Sequence, residues 1–216
     1  AIALDPLYAM AYRVLAVTHR MDVWLGTSPS VTSSRDNCLT LLERAISLDP
    51  AYAEAYSEMA FSLTELGQHE QAVATAERAV MLQPNSATAH AMLAHALRFS
   101  GRPDQAIFEY HKAIRLNPIP PAFYYFGLAD AYNWTDQFEE AIRWGQKAIQ
   151  KSPDAYLPHL ILTVVYSRAG MEYKARRQAA QVMRTNPKYN LVAHERRATH
   201  KNKASFFEAL RRAGLK

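Results

Sequence analysis

The chain has 216 residues, of which 49% are hydrophobic and 21% charged, with a formal net charge of +5. That hydrophobic share excludes a disordered chain, and the length is enough to bury a sizeable core. No apolar run approaches the ~20 residues that span a bilayer, and one cysteine, Cys38, cannot close an internal disulfide, which points to a reducing, cytoplasmic compartment.

In chain order, AIALDP (residues 1–6) reads as the tail of a truncated helical unit, so the native N-terminus is expected further upstream. A first full unit runs to Pro50. It carries MDVWLGTSPSVTSSRDN, residues 21–37, where the spacing from Pro6 to Pro50 is 44 residues against 34 downstream. The excess is expected to form a lengthened interhelical turn, since loop closure costs little per added residue. Ser33 or Ser34 is expected to cap the next helix, with Asp36 in its first turn. Trp24 and Leu25 are expected to fold back on the first helix pair; contact with an upstream domain is the sharper alternative.

The following units repeat one phrase. AISLDP, AVMLQP, AIRLNP, AIQKSP and VMRTNP close at Pro50, Pro84, Pro118, Pro153 and Pro187. In this register Ala72, Ala106, Ala141 and Ala175 share a position, and so do Ala45, Ala79, Ala113, Ala148 and Val182. Gly67, Gly101 and Gly170 share a third, where the fourth unit has Asp136. Each unit holds two apolar-periodic segments, such as YAEAYSEMAFSLTEL and HEQAVATAERAVML either side of Gly67. Glycine permits the left-handed backbone of a helix C-cap, and proline stops the second helix. Alanines on facing helices allow close approach. Two short helices cannot bury their own apolar faces, so the units must stack.

Period, alanine positions, turn glycine and closing proline together resemble the tetratricopeptide repeat (TPR) family over residues 1–187. The resemblance implies an all-α fold: a right-handed α-solenoid of TPR helix-turn-helix units with a C-terminal capping helix. The expected division is a TPR solenoid over 1–187 and a basic cap over 188–216. Trp24-Leu25-Gly26, Ile119-Pro120-Pro121-Ala122-Phe123-Tyr124 and Glu208-Ala209-Leu210-Arg211-Arg212-Ala213-Gly214-Leu215 are further similar to TPR regions C-terminal to bacterial class III adenylate/guanylate cyclase or winged-helix DNA-binding domains. His200-Lys201-Asn202-Lys203 departs from that subgroup. The resemblance implies the regulatory part of a larger bacterial signalling protein, with a cyclase or DNA-binding domain in the same polypeptide.

No phosphate-cradling glycine loop, nucleophile elbow or dinucleotide fingerprint occurs, so no enzyme is indicated and no cofactor is called for. His90 and His95, five apart, fall on different sides of a helix and are not a metal pair; they are expected to be exposed or to line the groove. Cys38 sits in an alanine slot and reads as a packing residue. In the family the first helices of successive units line a concave groove that takes a peptide or protein. The resemblance places Arg13, Arg20, Phe61, His95, Arg98, Phe99, Asp130, Asn133, Trp134 and Arg168 on that face. It also places Ser57, Glu65, Phe126, Leu160 and Val164 there. Rings beside charged and amide groups suit peptide binding, the rings supplying area and the polar groups register. Ser57, Phe61, Ala91 and His95 stand where chaperone-tail receptors of the family carry Lys and Asn, which argues against a carboxylate clamp.

Residues 188–216 carry eight Lys or Arg against two Glu. One amphipathic segment, Ser205 to Ala213, is expected to be a capping helix with Ser205 and Glu208 as a capping box, Phe206, Phe207 and Leu210 inward, and Gly214 as its stop. Its basic residues leave a nucleic-acid-contacting module as one alternative. A homo-oligomer formed through an open solenoid end is another.

Overall fold

Five helical hairpins follow one another between residues 9 and 185 in the computed structural model, which describes residues 2–216. They are α1 (Ala9–Leu25) with α2 (Val31–Leu48), α3 (Ala53–Glu65) with α4 (His69–Leu82), and α5 (Ala87–Phe99) with α6 (Pro103–Leu116). Then come α7 (Ala122–Trp134) with α8 (Phe138–Lys151) and α9 (Tyr156–Arg168) with α10 (Glu172–Thr185), followed by α11 (Leu191–Arg197) and α12 (Lys203–Arg212). No strand occurs among the described residues, and the architecture is an α-solenoid of helix-turn-helix units. No helix among them is long and apolar enough to cross a membrane.

The punctuation expected from the repeat sets the boundaries. Helices α2, α4, α6, α8 and α10 each stop two residues before their proline, because the residue preceding a proline is driven out of the helical region. Gly67, Gly101 and Gly170 close the first helices of their hairpins at φ 78°, 79° and 71°. The next residue's N–H reaches back to the helix, as in Gln68 to the Leu63 carbonyl and Met171 to that of Tyr166. Asp136 takes the same conformation at φ 57° and makes the same turn, through Gln137 to Tyr132.

The first hairpin departs from expectation. The turn from Gly26 to Ser30 is five residues, two longer than the three between α3 and α4. The other eight extra residues lengthen the helices: α1 has 17 residues against 13 in α3, and α2 has 18 against 14 in α4. Residues 21–37 are therefore mostly helix. The reason is chemical: MDVWL carries no helix breaker before Gly26, and the Ser30 hydroxyl caps α2 early by accepting from the Ser33 N–H. The cap is thus Ser30 rather than Ser33 or Ser34, and Asp36 lies beyond the first turn. Trp24 and Leu25 do not fold back on their own hairpin; they end α1 with 53% and 70% of their surface exposed.

The chain divides into two compact units, Ala1–Ala96 and Leu97–Lys216, the division falling inside α5. In the first, α1 packs on α2, α3 on α4, α2 on α3, and the first helices α1 and α3 touch. Ala45, Ala72 and Ala79 are fully buried at the helix crossings, and Cys38 is buried in its alanine slot, where burial pushes its thiol up. In the second unit α7 packs on α8, α9 on α10, and the first helices α7 and α9 touch. Ala106, Ala113, Ala141, Ala148 and Val182 are fully buried, with Ala175 at 1%.

Close approach is most extreme at Gly127. A Cβ there would collide with the hydroxyl of Tyr110, a fully buried ring on α6. Helix α12 packs on α9, with Phe206, Phe207 and Leu210 buried in one core with Leu160, Val164 and Val165. It begins at Lys203 with Asn202 at its cap position, so Ser205 lies inside the helix and the expected capping box is absent. Helix α11, which the sequence reading did not foresee, starts where Asn190 accepts from the Ala193 N–H.

Candidate functional site

Within each unit first helices meet through side chains on one stripe, and the two stripes differ. In the first unit the stripe is an aromatic cluster with charges at its edge. The His95 ring stacks on Phe61 with centroids 4.9 Å apart, and the Arg20 guanidinium lies 4.7 Å over Phe61. Arg20 also pairs with Glu58 at 2.9 Å. The Trp24 ring approaches Phe61 at 6.1 Å, and its indole N–H donates to Glu65 at 2.6 Å. Burial pushes the Glu65 carboxyl up, while this bond and the Arg20 charge oppose it. A small cavity beside the cluster is lined by Arg20, Val23, Arg35, Cys38, Ser62 and Glu65.

The structure thus brings Arg20, Phe61 and His95 together. Arg13 stands apart, donating to the Tyr52 hydroxyl at 2.7 Å. Glu58 and Trp24 join the cluster without having been expected there. For Trp24 the signal was present: it lies four residues after Arg20, one helical turn further on. His90 is buried, not exposed or groove-lining, with its Nε2 2.9 Å from the Pro84 carbonyl.

In the second unit the face is buried and held by ions. Arg98 pairs with Asp130, their side chains only 9% and 4% exposed, and its guanidinium lies 4.5 Å over the Phe99 ring. The Tyr110 phenol sits beside Arg98, and burial pushes it up. Arg168 donates to the Asn133 carbonyl and to the Asp136 carboxylate, the latter at 2.8 Å. Its guanidinium covers the Trp134 ring at 4.4 Å. Asp130 and Asn133 are buried, and the Asn133 amide makes no hydrogen bond with the described residues, leaving a donor and an acceptor on that helix. Asp130 uses one carboxylate oxygen on Arg98, and the other has no partner among the described residues.

The sequence reading missed what lies against Phe99. His200 packs edge-on to its ring at 5.7 Å, and the Lys201 N–H donates to its carbonyl at 3.2 Å. No group of three His, Cys, Asp or Glu placed to hold a metal occurs among the described residues.

Comparison with known proteins agrees with the fold. Tetratricopeptide repeat family models match residues 37–96 and 87–120. Residues 37–120 are tetratricopeptide repeats. No curated protein matches the chain in sequence. Among solved structures, this chain is similar to TTC0263, a thermophilic TPR protein of Thermus thermophilus, at 24% identity and TM-score 0.66, covering 83% of this chain and 95% of that one. It is similar to PilW, a widely conserved type IV pilus biogenesis factor, at 16% identity and TM-score 0.71, with 95% and 90% covered. It is also similar to YrrB, a TPR protein with an unusual peptide-binding site, at 17% identity and TM-score 0.54, with 80% and 92% covered. At these identities the likeness is one of fold.

Proposed function

We propose that this chain is a non-catalytic TPR scaffold that binds a peptide or protein on a first-helix face. The observation that carries this is the Arg20–Phe61–His95–Trp24 cluster. It combines stacked rings, a guanidinium and a carboxylate on neighbouring first helices, with half of the Trp24 surface open to solvent. Such a surface buries area on aromatic anchors and sets register with directional charges. The peptide-binding site of YrrB, on a similar fold, supports the same use. Within this reading the chain is the cytoplasmic regulatory portion of a bacterial signalling protein, joined to a cyclase or winged-helix domain, as its similar C-terminal motif suggests.

Panning a random dodecapeptide library on the immobilised chain tests the binding role. Enriched peptides are expected to lose about tenfold or more in affinity on Phe61→Ala or His95→Ala, in line with truncation of an interface anchor. Failure to enrich any peptide above a blank surface, or affinities unmoved by both variants, would overturn the reading.

A second reading has its own observation: α1 leaves Met10, Val14, Met21 and Leu25 exposed, an apolar stripe at helical spacing. In that reading two chains associate through α1. Light scattering at two concentrations separates the two, a concentration-dependent mass favouring association. Nucleic-acid contact through the basic C-terminal residues is a weaker fit, since Arg211 pairs with Glu195 and Arg212 donates to the Ser167 carbonyl.

A further inference from the structure

We infer that residues 198–216 are a reversible intramolecular ligand of the second unit's first-helix face, which an external peptide must displace. The inference rests on the peptide-binding reading above and concerns how that face is regulated.

The first sign is α9. A first helix lining an open groove keeps one polar, hydrated stripe, yet Pro158 to Ser167 are buried without a break. Its sequence, YLPHLILTVVYSR, has one polar stripe, His159, Thr163 and Ser167, and that stripe is buried too. Helix α12 packs on α9 with Phe206, Phe207 and Leu210, which share one core with Leu160 and Val164, two residues expected on the face. From α12 the chain leads back through residues 198–202 to the end of α5. There His200 lies on Phe99 and beside the Arg98–Asp130 pair, and the Lys201 N–H meets the Phe99 carbonyl.

The second sign is which groups the segment satisfies. The last carbonyls of a helix have no partner within it. At the end of α5 the Phe99 carbonyl accepts from Lys201, and at the end of α9 the Ser167 carbonyl, which also accepts from the Gly170 N–H, accepts from Arg212 at 3.1 Å. Between them the Asn133 carbonyl of α7 accepts from Arg168. Two of three neighbouring helix ends are thus filled by the C-terminal segment with donors that a bound peptide also carries.

The third sign is that the segment is held by apolar burial and not by a buried charge pair. Phe206, Phe207, Leu210 and Leu215 are buried, while the Arg211–Glu195 pair that ties α12 to α11 leaves the arginine half exposed. Exposed pairs of this kind hold weakly. A tethered ligand on so short a leash acts at an effective concentration on the order of millimolar, enough to keep the face occupied yet open to competition.

The turn glycine offers a staple. A Cβ at Gly101 would lie 3.5 Å from the Lys201 Cβ, within disulfide range. In a Cys38→Ser background, Gly101→Cys with Lys201→Cys locks the segment down when oxidised and frees it when reduced. The reduced form is also the control for a side chain at φ +79°. Native-state hydrogen exchange on the full chain is then read in both forms. Amides of residues 199–212 are expected to exchange about tenfold or more faster than those of α7 and α9 when reduced, and to slow to their rates when oxidised. The dodecapeptide library is expected to yield peptides that bind the reduced form at least about tenfold tighter than the oxidised one.

If residues 199–212 exchange in step with α9 in the reduced protein, the segment is a permanent cap and the inference falls, leaving the scaffold reading intact. Opening without any peptide preferring the reduced form also overturns it, because the segment then guards nothing. Absence of peptides on both forms defeats the scaffold reading itself.

Discussion

The Trp24 indole N–H donates to the Glu65 carboxylate at 2.6 Å, tying the last turn of α1 to the last turn of α3. Trp24 is half exposed, so the bond is more than a consequence of burial. Trp24→Ala is expected to cost only about 0.5–1.5 kcal/mol in urea unfolding, the range of one hydrogen bond. Trp24→Phe keeps a ring over Glu65 and removes the bond that holds its carboxyl down, so that group's pKa rises further, which carbon NMR of the carboxyl would record. A loss near that of a buried ring, about 3–5 kcal/mol, would show Trp24 to be core.

The Arg98–Asp130 pair is buried on both sides, and single removal strands a charge. Arg98→Leu is expected to destabilise by about 3–5 kcal/mol, and the double variant Arg98→Leu with Asp130→Leu to recover most of it. Chemical denaturation of the four proteins of the cycle measures the coupling; additive losses would mean the charges do not depend on each other.

Asp136 occupies a left-handed turn position that its counterparts fill with glycine, and its exposed carboxylate pairs with Arg168. Asp136→Gly relieves the backbone but gives up an exposed ion pair, so its net effect is expected within about 0.5 kcal/mol of zero. Asp136→Ala loses the pair and keeps the strain. The glycine variant is expected to be the more stable of the two by about 1 kcal/mol, and equal melting of both would contradict this.

Burial pushes His194 and His200 down to about 4, against 6.5 for a free ring. His200 faces Asp130, which opposes the shift, and Arg98, His194 and Lys203, which add to it. Both rings stay neutral in the folded protein while the unfolded chain takes up protons first. Stability is therefore complete above about pH 7 and declines as pH falls from 6.5 toward 4, levelling below that. Exchange of α12 amides is expected to quicken over this window, and His200→Phe to flatten the response. A wild-type profile level from about pH 7 to about 4.5 would refute the neutral buried rings.

Some features were legible in the residues alone. Helix ends followed from Pro50, Pro84, Pro118, Pro153 and Pro187, and turns from Gly67, Gly101 and Gly170, because these are constraints on one or two backbone angles. Buried alanines followed from their register, since helix crossings recur with the repeat. Local chemistry misled at residues 21–37, where several serines compete to cap α2 and only the helix's final length chooses Ser30.

The site itself lay mostly beyond the sequence. Phe61 and His95 stand 34 residues apart, the length of one repeat, so periodicity could place them on one face, and their stacking at 4.9 Å came only with helix packing. Helix α9 is mostly apolar, and its structure shows even the polar stripe of His159, Thr163 and Ser167 covered. What covers it was not readable, because the contacts of His200 and Lys201 with Phe99 have no period behind them. The sequence by itself determined a stack of helical hairpins, through backbone constraints repeated every 34 or 35 residues. Tertiary structure alone decided that in the second unit α12 packs on α9 and His200 and Lys201 lie against Phe99. That outcome depends on which distant apolar side chains find each other once the hairpins have stacked.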